Sequence, residues 1–226
     1  MYLLRIAILS FMVVFTNNIY AQPTTVTVKK ETKTFILDLK YPQGFKESQI
    51  NQVIKTFVTK TKNSQDMSGS SPFTTNLPGK DSLYIDYKIA YQNTHVVSLL
   101  FNISTYSRGA AHPNNSIKTF NFIDGKEINL QDIFKTNSPY LEEIANYCRN
   151  QLLKNKDFDE KWVNEGTQAI NKNYTNWNFS KEGLAIIFDT YQVAAYVYGP
   201  QTIIIPTSSL TSSLRPEMKK LVWGNA

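Results

Sequence analysis

The chain has 226 residues, a formal net charge of +6, two histidines and one cysteine. That length can bury a full core as one domain or two intimate halves. A lone Cys excludes an internal disulfide. Scattered lysine with no arginine-rich or zinc-knuckle pattern excludes nucleic-acid recognition, so the mild basicity suits an anionic envelope or an acidic partner.

Residues 1–21 open with Arg5, continue as an apolar run over Ile6–Phe15 and end on the small Ala21. This is the order of a cleavable secretory leader, and the run is well short of the ~20 residues of a membrane-spanning helix. The sequence therefore predicts a signal peptide over 1–21 and a single extracytoplasmic domain over 22–226, periplasmic or secreted. No membrane span is expected once the leader is removed.

A polar Thr/Lys lead-in follows the leader. Phe35, Leu37, Leu39 and Tyr41 then alternate with polar residues and predict a strand ending at Pro42. Ile50, Val53, Ile54, Phe57 and Val58 share one helical face behind Ser48 as N-cap. Residues 61–80 carry Ser, Gly, Pro and Asn without period and predict an exposed loop. Leu83–Tyr91 and Val97–Ile103 alternate on either side of Gln92-Asn93-Thr94, the clearest hairpin of the chain. A third strand over Ser116–Ile123 closes at the Asp124-Gly125 turn. Three such antiparallel strands want a helix over their apolar face, and Ile50–Val58 supplies it.

A short turn at Leu130–Phe134 opens the second half. Ser138-Pro139 predicts an N-cap and first helical residue ahead of Leu141, Ile144, Ala145, Cys148 and Leu152. Phe158, Trp162, Ala169 and Ile170 suggest a further helix. Trp177–Phe179 and Leu184–Phe188 form a second hairpin, Ile203–Ile205 a last strand, and the tail after Leu210 a short surface helix. The expected fold class is α+β: an antiparallel sheet with helices packed on one face, in two intimately packed halves of about residues 30–125 and 126–212.

The residues offer little chemistry. Two histidines and no Cys pair do not make the three-ligand set of a catalytic zinc. No nucleophile elbow and no phosphate-binding glycine loop appears. Cys148 sits at a helical apolar position, where it packs as a small hydrophobe. No catalytic residue, metal site or cofactor is expected. His112, within Ser107-Arg108-Gly109-Ala110-Ala111-His112-Pro113, either fixes its own connection or stands with Ser107 and Arg108 on a recognition loop. Tyr191, Tyr196 and Tyr198 suit an interface and a half-buried position equally.

Gly109-Ala-Ala-His112-Pro, followed by Phe120-Asn-Phe-Ile-Asp-Gly125-Lys-Glu-Ile-Asn-Leu130-Gln-Asp-Ile-Phe134, resembles a motif of the extracytoplasmic domain of RsiV-type anti-sigma factors. Phe188-Asp189, Tyr191, Val193–Tyr196, Gly199 and Ile205-Pro206 resemble that domain's closing motif. The same domain accompanies some peptidoglycan deacetylases. The resemblance implies an α+β sensor of c-type lysozyme, with a binding surface at Ser107, Arg108, Gly109, His112, Tyr191, Tyr196 and Tyr198. Ala110 stands where that family has Gly, and Ala195 where it has Pro, which removes a rigid turn.

With no sigma-binding segment, anchor or deacetylase domain read in the chain, sigma-factor control and deacetylation are not expected. The resulting expectation is a non-enzymatic envelope binding protein that recognises a lysozyme-like protein or peptidoglycan. The alternative is an enzyme acting on envelope polysaccharide through His112 and a nearby carboxylate.

Overall fold

The structure is a computed structural model that describes residues 22–68 and 78–224. The leader expected over 1–21 lies outside the described residues. Among those described, a six-stranded and a three-stranded sheet combine with four helices in a mixed α+β fold.

The large sheet runs in chain order: β1 (Thr24–Glu31), β2 (Phe35–Gln43), β3 (Asp81–Gln92), β4 (Val96–Tyr106), β5 (Asn114–Ile123) and β6 (Lys126–Glu127). Every pairing is antiparallel except β2 with β3, which α1 (Ser48–Ser68) joins as a crossover. The apolar stripe of α1 (Ile50, Ile54 and Val58) buries against Leu39, Leu83, Leu99, Phe101 and Phe122. That face burial explains why β3 alternates so legibly.

The opposite face of β4 and β5 meets the small sheet of β7 (Trp177–Phe179), β8 (Gly183–Phe188) and β9 (Gln201–Pro206). Leu100 and Ile117 pack there on Ala185 and Ile187. Beside them lies a buried polar seam. Asn121 Nδ2 donates to Trp177 O at 2.7 Å, Trp177 N to Thr119 Oγ1 at 3.1 Å, and Phe179 N to Ser98 Oγ at 2.9 Å. Side chains of the large sheet thus satisfy two backbone donors and one carbonyl of β7 that no strand pairs. A second apolar core lies between the small sheet and helices α2 (Tyr140–Leu152), α3 (Glu160–Gly166) and α4 (Pro216–Trp223).

The structure departs from the expectations at four places. β1 replaces the polar lead-in. α1 runs ten residues past Val58 to Ser68, with Thr61 Oγ1 donating to Phe57 O and Ser64 Oγ to Thr61 O. Their hydroxyls are thereby satisfied within the helix, so they do not compete for other backbone groups there; residues 69–77 of the expected loop lie outside the described residues. Ser138 does not cap α2, because its hydroxyl donates to Lys135 O at 2.8 Å and Pro139 holds the N-cap position. α3 is one short helix, capped where Asp159 Oδ1 accepts from Trp162 N at 2.8 Å.

Candidate functional site

The loop from β4 to β5 is anchored from inside. Arg108 turns inward with its side chain 7% exposed, and Asp81 accepts from Arg108 N at 2.7 Å and from Arg108 Nε at 3.3 Å. Ser107 and Gly109 form the turn beside it: Ala110 N donates to Ser107 O at 3.0 Å, and Gly109 adopts φ +87. With that turn pinned, the loop carries His112 outward on the surface.

There it meets a segment roughly eighty residues away in sequence. His112 stacks on Tyr196 with ring centroids 4.1 Å apart, and its Nε2 lies 3.3 Å from the Tyr191 hydroxyl. Its Nδ1 is 2.8 Å from Pro113 O. An N–H can donate to a carbonyl but not accept from it, so the Nδ1–H tautomer is assigned, leaving Nε2 as acceptor from Tyr191. Tyr196 donates to Pro113 O at 3.0 Å and accepts from Asn115 Nδ2 at 2.9 Å. His112 thus braces its own connection within an aromatic cluster at the surface, while Arg108, expected beside it on a recognition loop, is buried beneath that loop.

Tyr191 carries the cluster's backbone anomaly. Its φ is +68, a region that bulky side chains rarely occupy, and its side chain remains 49% exposed. Trp162, which the sequence gave no reason to single out, stacks in parallel with Tyr191 at 6.4 Å and donates through Nε1 to Tyr191 O at 2.8 Å. Tyr198 lies further along, edge-on to Phe158 at 5.0 Å, next to the largely exposed Val197.

The carboxylate nearest to Tyr191 in sequence is Asp189. Its oxygens accept from Thr190 N at 2.9 Å and Ile117 N at 3.3 Å, and no contact joins it to His112. Burial holds its carboxyl above the usual aspartate value, against those two backbone donors, which lower it. An acid raised in this way binds its proton more tightly folded than unfolded. Its contribution to stability is full below the ordinary aspartate range and falls as pH rises through the folded value. Asp189→Asn is expected to gain stability relative to the parent as pH rises from about 3 to 6. Urea unfolding across that range checks this, and a constant difference between the two proteins would count against it.

A histidine–carboxylate contact does occur at the other end of β4 and β5. His95 Nδ1 lies 2.8 Å from Asp124 Oδ1, on the rim of a cleft of about 630 Å³ floored by Phe45 and Phe122. Cys148 is fully buried, and that burial pushes its thiol up, away from the reactive thiolate. Among the described residues, no three His, Cys, Asp or Glu are grouped to hold a metal ion, and no helix is long and apolar enough to cross a membrane.

These features define an α+β protein that presents a histidine–tyrosine surface from two loops at one end of its sheets. Comparison with known proteins makes the assignment more particular. The family described as "Deacetylase PdaC" matches residues 28–115, and "Protein of unknown function (DUF3298)" matches 131–208. The second half of the chain is thus similar to DUF3298 domains and the first half to the PdaC family. It is 30% identical over 206 residues to the peptidoglycan-N-acetylmuramic acid deacetylase PdaC of Bacillus subtilis (strain 168), covering 89% of this chain and 44% of that protein. The chain thus spans less than half the length of that relative.

Two crystal structures share the fold. A DUF3298 family protein from Pseudomonas aeruginosa PAO1 superposes with a TM-score of 0.68 at 14% identity, covering 87% of this chain and 94% of the other. A family member from Bacteroides fragilis NCTC 9343 gives 0.62 at 15% identity, covering 88% and 96%.

The kinship overturns one expectation. A non-enzymatic binding protein for a lysozyme-like partner or peptidoglycan was inferred from missing catalytic motifs, yet the relative that matches nearly the whole chain is an enzyme acting on peptidoglycan. A motif search detects only reactive groups close together in sequence, so its silence does not exclude an enzyme.

Proposed function

We propose that this chain acts on peptidoglycan in the cell envelope, periplasmic or secreted, as an envelope polysaccharide-acting enzyme of the deacetylating class. The observation that carries the reading is the 30% identity over 89% of the chain to a peptidoglycan deacetylase. In the reaction, water adds to the acetyl carbon of an acetamido sugar, the C–N bond breaks, and acetate and a free amine leave. The exposed ring of Tyr191, with the half-buried rings of Tyr196 and Trp162 beside it, offers a flat face for a sugar ring, and His112 and the Tyr191 hydroxyl offer polar groups next to it.

The test is deletion of the gene from its host, with the acetylation of released muropeptides read by mass spectrometry. Deacetylated muropeptides are expected to fall, to return with the wild-type gene, and to recover about tenfold less with His112→Ala/Tyr191→Ala, the scale of one lost positioning contact pair. Unchanged muropeptide acetylation in the deletion strain would overturn the reading.

A further inference from the structure

A second feature lies on the same face of β5 as the aromatic cluster. Residues Asn115, Ile117, Thr119 and Asn121 alternate onto that face: Asn115 reaches Tyr196, Ile117 N reaches Asp189, and Thr119 and Asn121 reach Trp177. Beyond Thr119 a cleft of about 420 Å³ opens between β5, the segment after β6 and the turn at Asn171–Tyr174. From Asn115 to Thr119 the strand advances only about 13 Å. Ile117 and Thr119 between them are buried beneath the small sheet, so the cluster and the cleft are two stations along the outer edge of β5, which β6 pairs only at Phe122 and Ile123.

The cleft's chemistry is that of a neutral, hydroxyl-rich ligand. Its floor includes the buried Tyr174 and Trp177, already tied to Thr167 O and to the β5 side chains. Its rim carries the exposed amides of Gln131 and Asn171 and the exposed hydroxyl of Thr175. Gln131 and Thr175 make no side-chain hydrogen bond to the protein, and Asn171 makes one long contact, Oδ1 accepting from Tyr140 at 3.5 Å. Lys118 and Glu127 balance each other in charge at the same opening. Burial, with Asp132 and Glu142 nearby, raises Tyr140 above the usual phenol value, so its hydroxyl stays a donor. Amides and hydroxyls that both donate and accept, over an aromatic floor and without net charge, match a sugar ring better than an anion, a cation or an apolar body.

We infer that this cleft is a saccharide subsite that takes a sugar unit of the same glycan strand engaged at His112, Tyr191 and Tyr196. This rests on the proposed action on peptidoglycan and adds a second point of contact to it. Two stations along one strand suit a linear polymer, and each gains from the other by effective concentration.

Titration calorimetry with a β-1,4-linked tetrasaccharide of N-acetylglucosamine tests the inference on the purified protein. The double variant Gln131→Ala/Asn171→Ala removes two exposed rim amides and is expected to weaken binding about tenfold, with thermal unfolding unchanged. Thr175→Val is expected to weaken it by a smaller factor in the same direction. Wild-type affinity in the double variant, alongside weakened binding by Tyr191→Ala, would overturn the cleft and leave the proposed function standing. Failure of the folded wild-type protein to bind the tetrasaccharide would also overturn the cleft, while muropeptide acetylation in the deletion strain judges the function separately.

Discussion

Asp81→Ala is expected to destabilise the protein by about 3–5 kcal/mol, the largest effect of any single side-chain truncation near the site. Asp81 and Arg108 are 16% and 7% exposed, so the pair sits largely out of water, and the carboxylate accepts both the backbone N–H and Nε of Arg108. Removing it leaves a guanidinium buried without its counter-charge, and that desolvated orphan rather than the lost contact accounts for most of the cost. Asp81 also opens β3, where its N–H donates to Thr34 O at 2.9 Å, so the disturbance falls at the crossover between β2 and β3. Adding Arg108→Ala removes the orphan and is expected to restore more than half of the loss in urea unfolding. A loss below about 1 kcal/mol in the single variant would show instead that Arg108 swings out to water. Because the same loop carries His112, the single variant is also expected to lower muropeptide deacetylation.

How much of this was legible in the sequence depended on which faces are buried. β3 could be read because α1 buries one face of it and burial on one face writes a period of two, whereas β4 and β5, covered on their other face by the small sheet as well, kept the period mainly through the apolar residues they present to α1. β1 could not: it is an edge strand, exposed along most of its length, and Val26 and Val28 are too few to carry a pattern. The parallel pairing of β2 with β3 is equally silent, since a crossover leaves no mark on the strands it joins. α3 was blurred because Phe158, Ala169 and Ile170 lie outside its seven residues, although Phe158 and Ala169 pack on the same core.

The candidate site divides in the same way. His112 and the tyrosines of 191–198 were singled out separately, from local composition and a family motif, and nothing local says that His112 and Tyr196 stack at 4.1 Å. Trp162 has no signal of its own, because a tryptophan on an amphipathic helix looks the same whether it fills a core or flanks a site. The role expected for Arg108 shows a related ambiguity: an arginine in a glycine-containing loop reads as exposed, whereas here the fold places an aspartate behind it. Function was the least legible, since chemistry was sought as sequence motifs while the surface that carries the proposal is assembled from β5, α3 and two loops.

That assembly depends on one close approach, and Gly166→Ala is the variant that removes it. Gly166 ends α3 against the turn of residues 189–193, and a Cβ there would lie 2.1 Å from Gln192 O and 2.8 Å from Val193 Cγ1. The nearest atom belongs to the backbone, so trimming Val193 gives no relief; the turn itself has to retreat. Gln192 holds the turn in place by donating from Nε2 to Gly166 O at 3.2 Å and Asn173 O at 2.9 Å, and both bonds stretch as it moves. An overpacked contact of this kind is expected to cost about 3 kcal/mol. The more telling consequence is at the surface. Tyr191 immediately precedes Gln192, its strained φ of +68 is kept by the turn, and its carbonyl holds Trp162 Nε1. A retreating turn takes the Tyr191 ring away from His112 and Trp162 together. Gly166→Ala is therefore expected to lower affinity for the tetrasaccharide even at temperatures where the variant remains folded. Full affinity in a destabilised but folded variant would show that the position of Tyr191 does not govern glycan engagement.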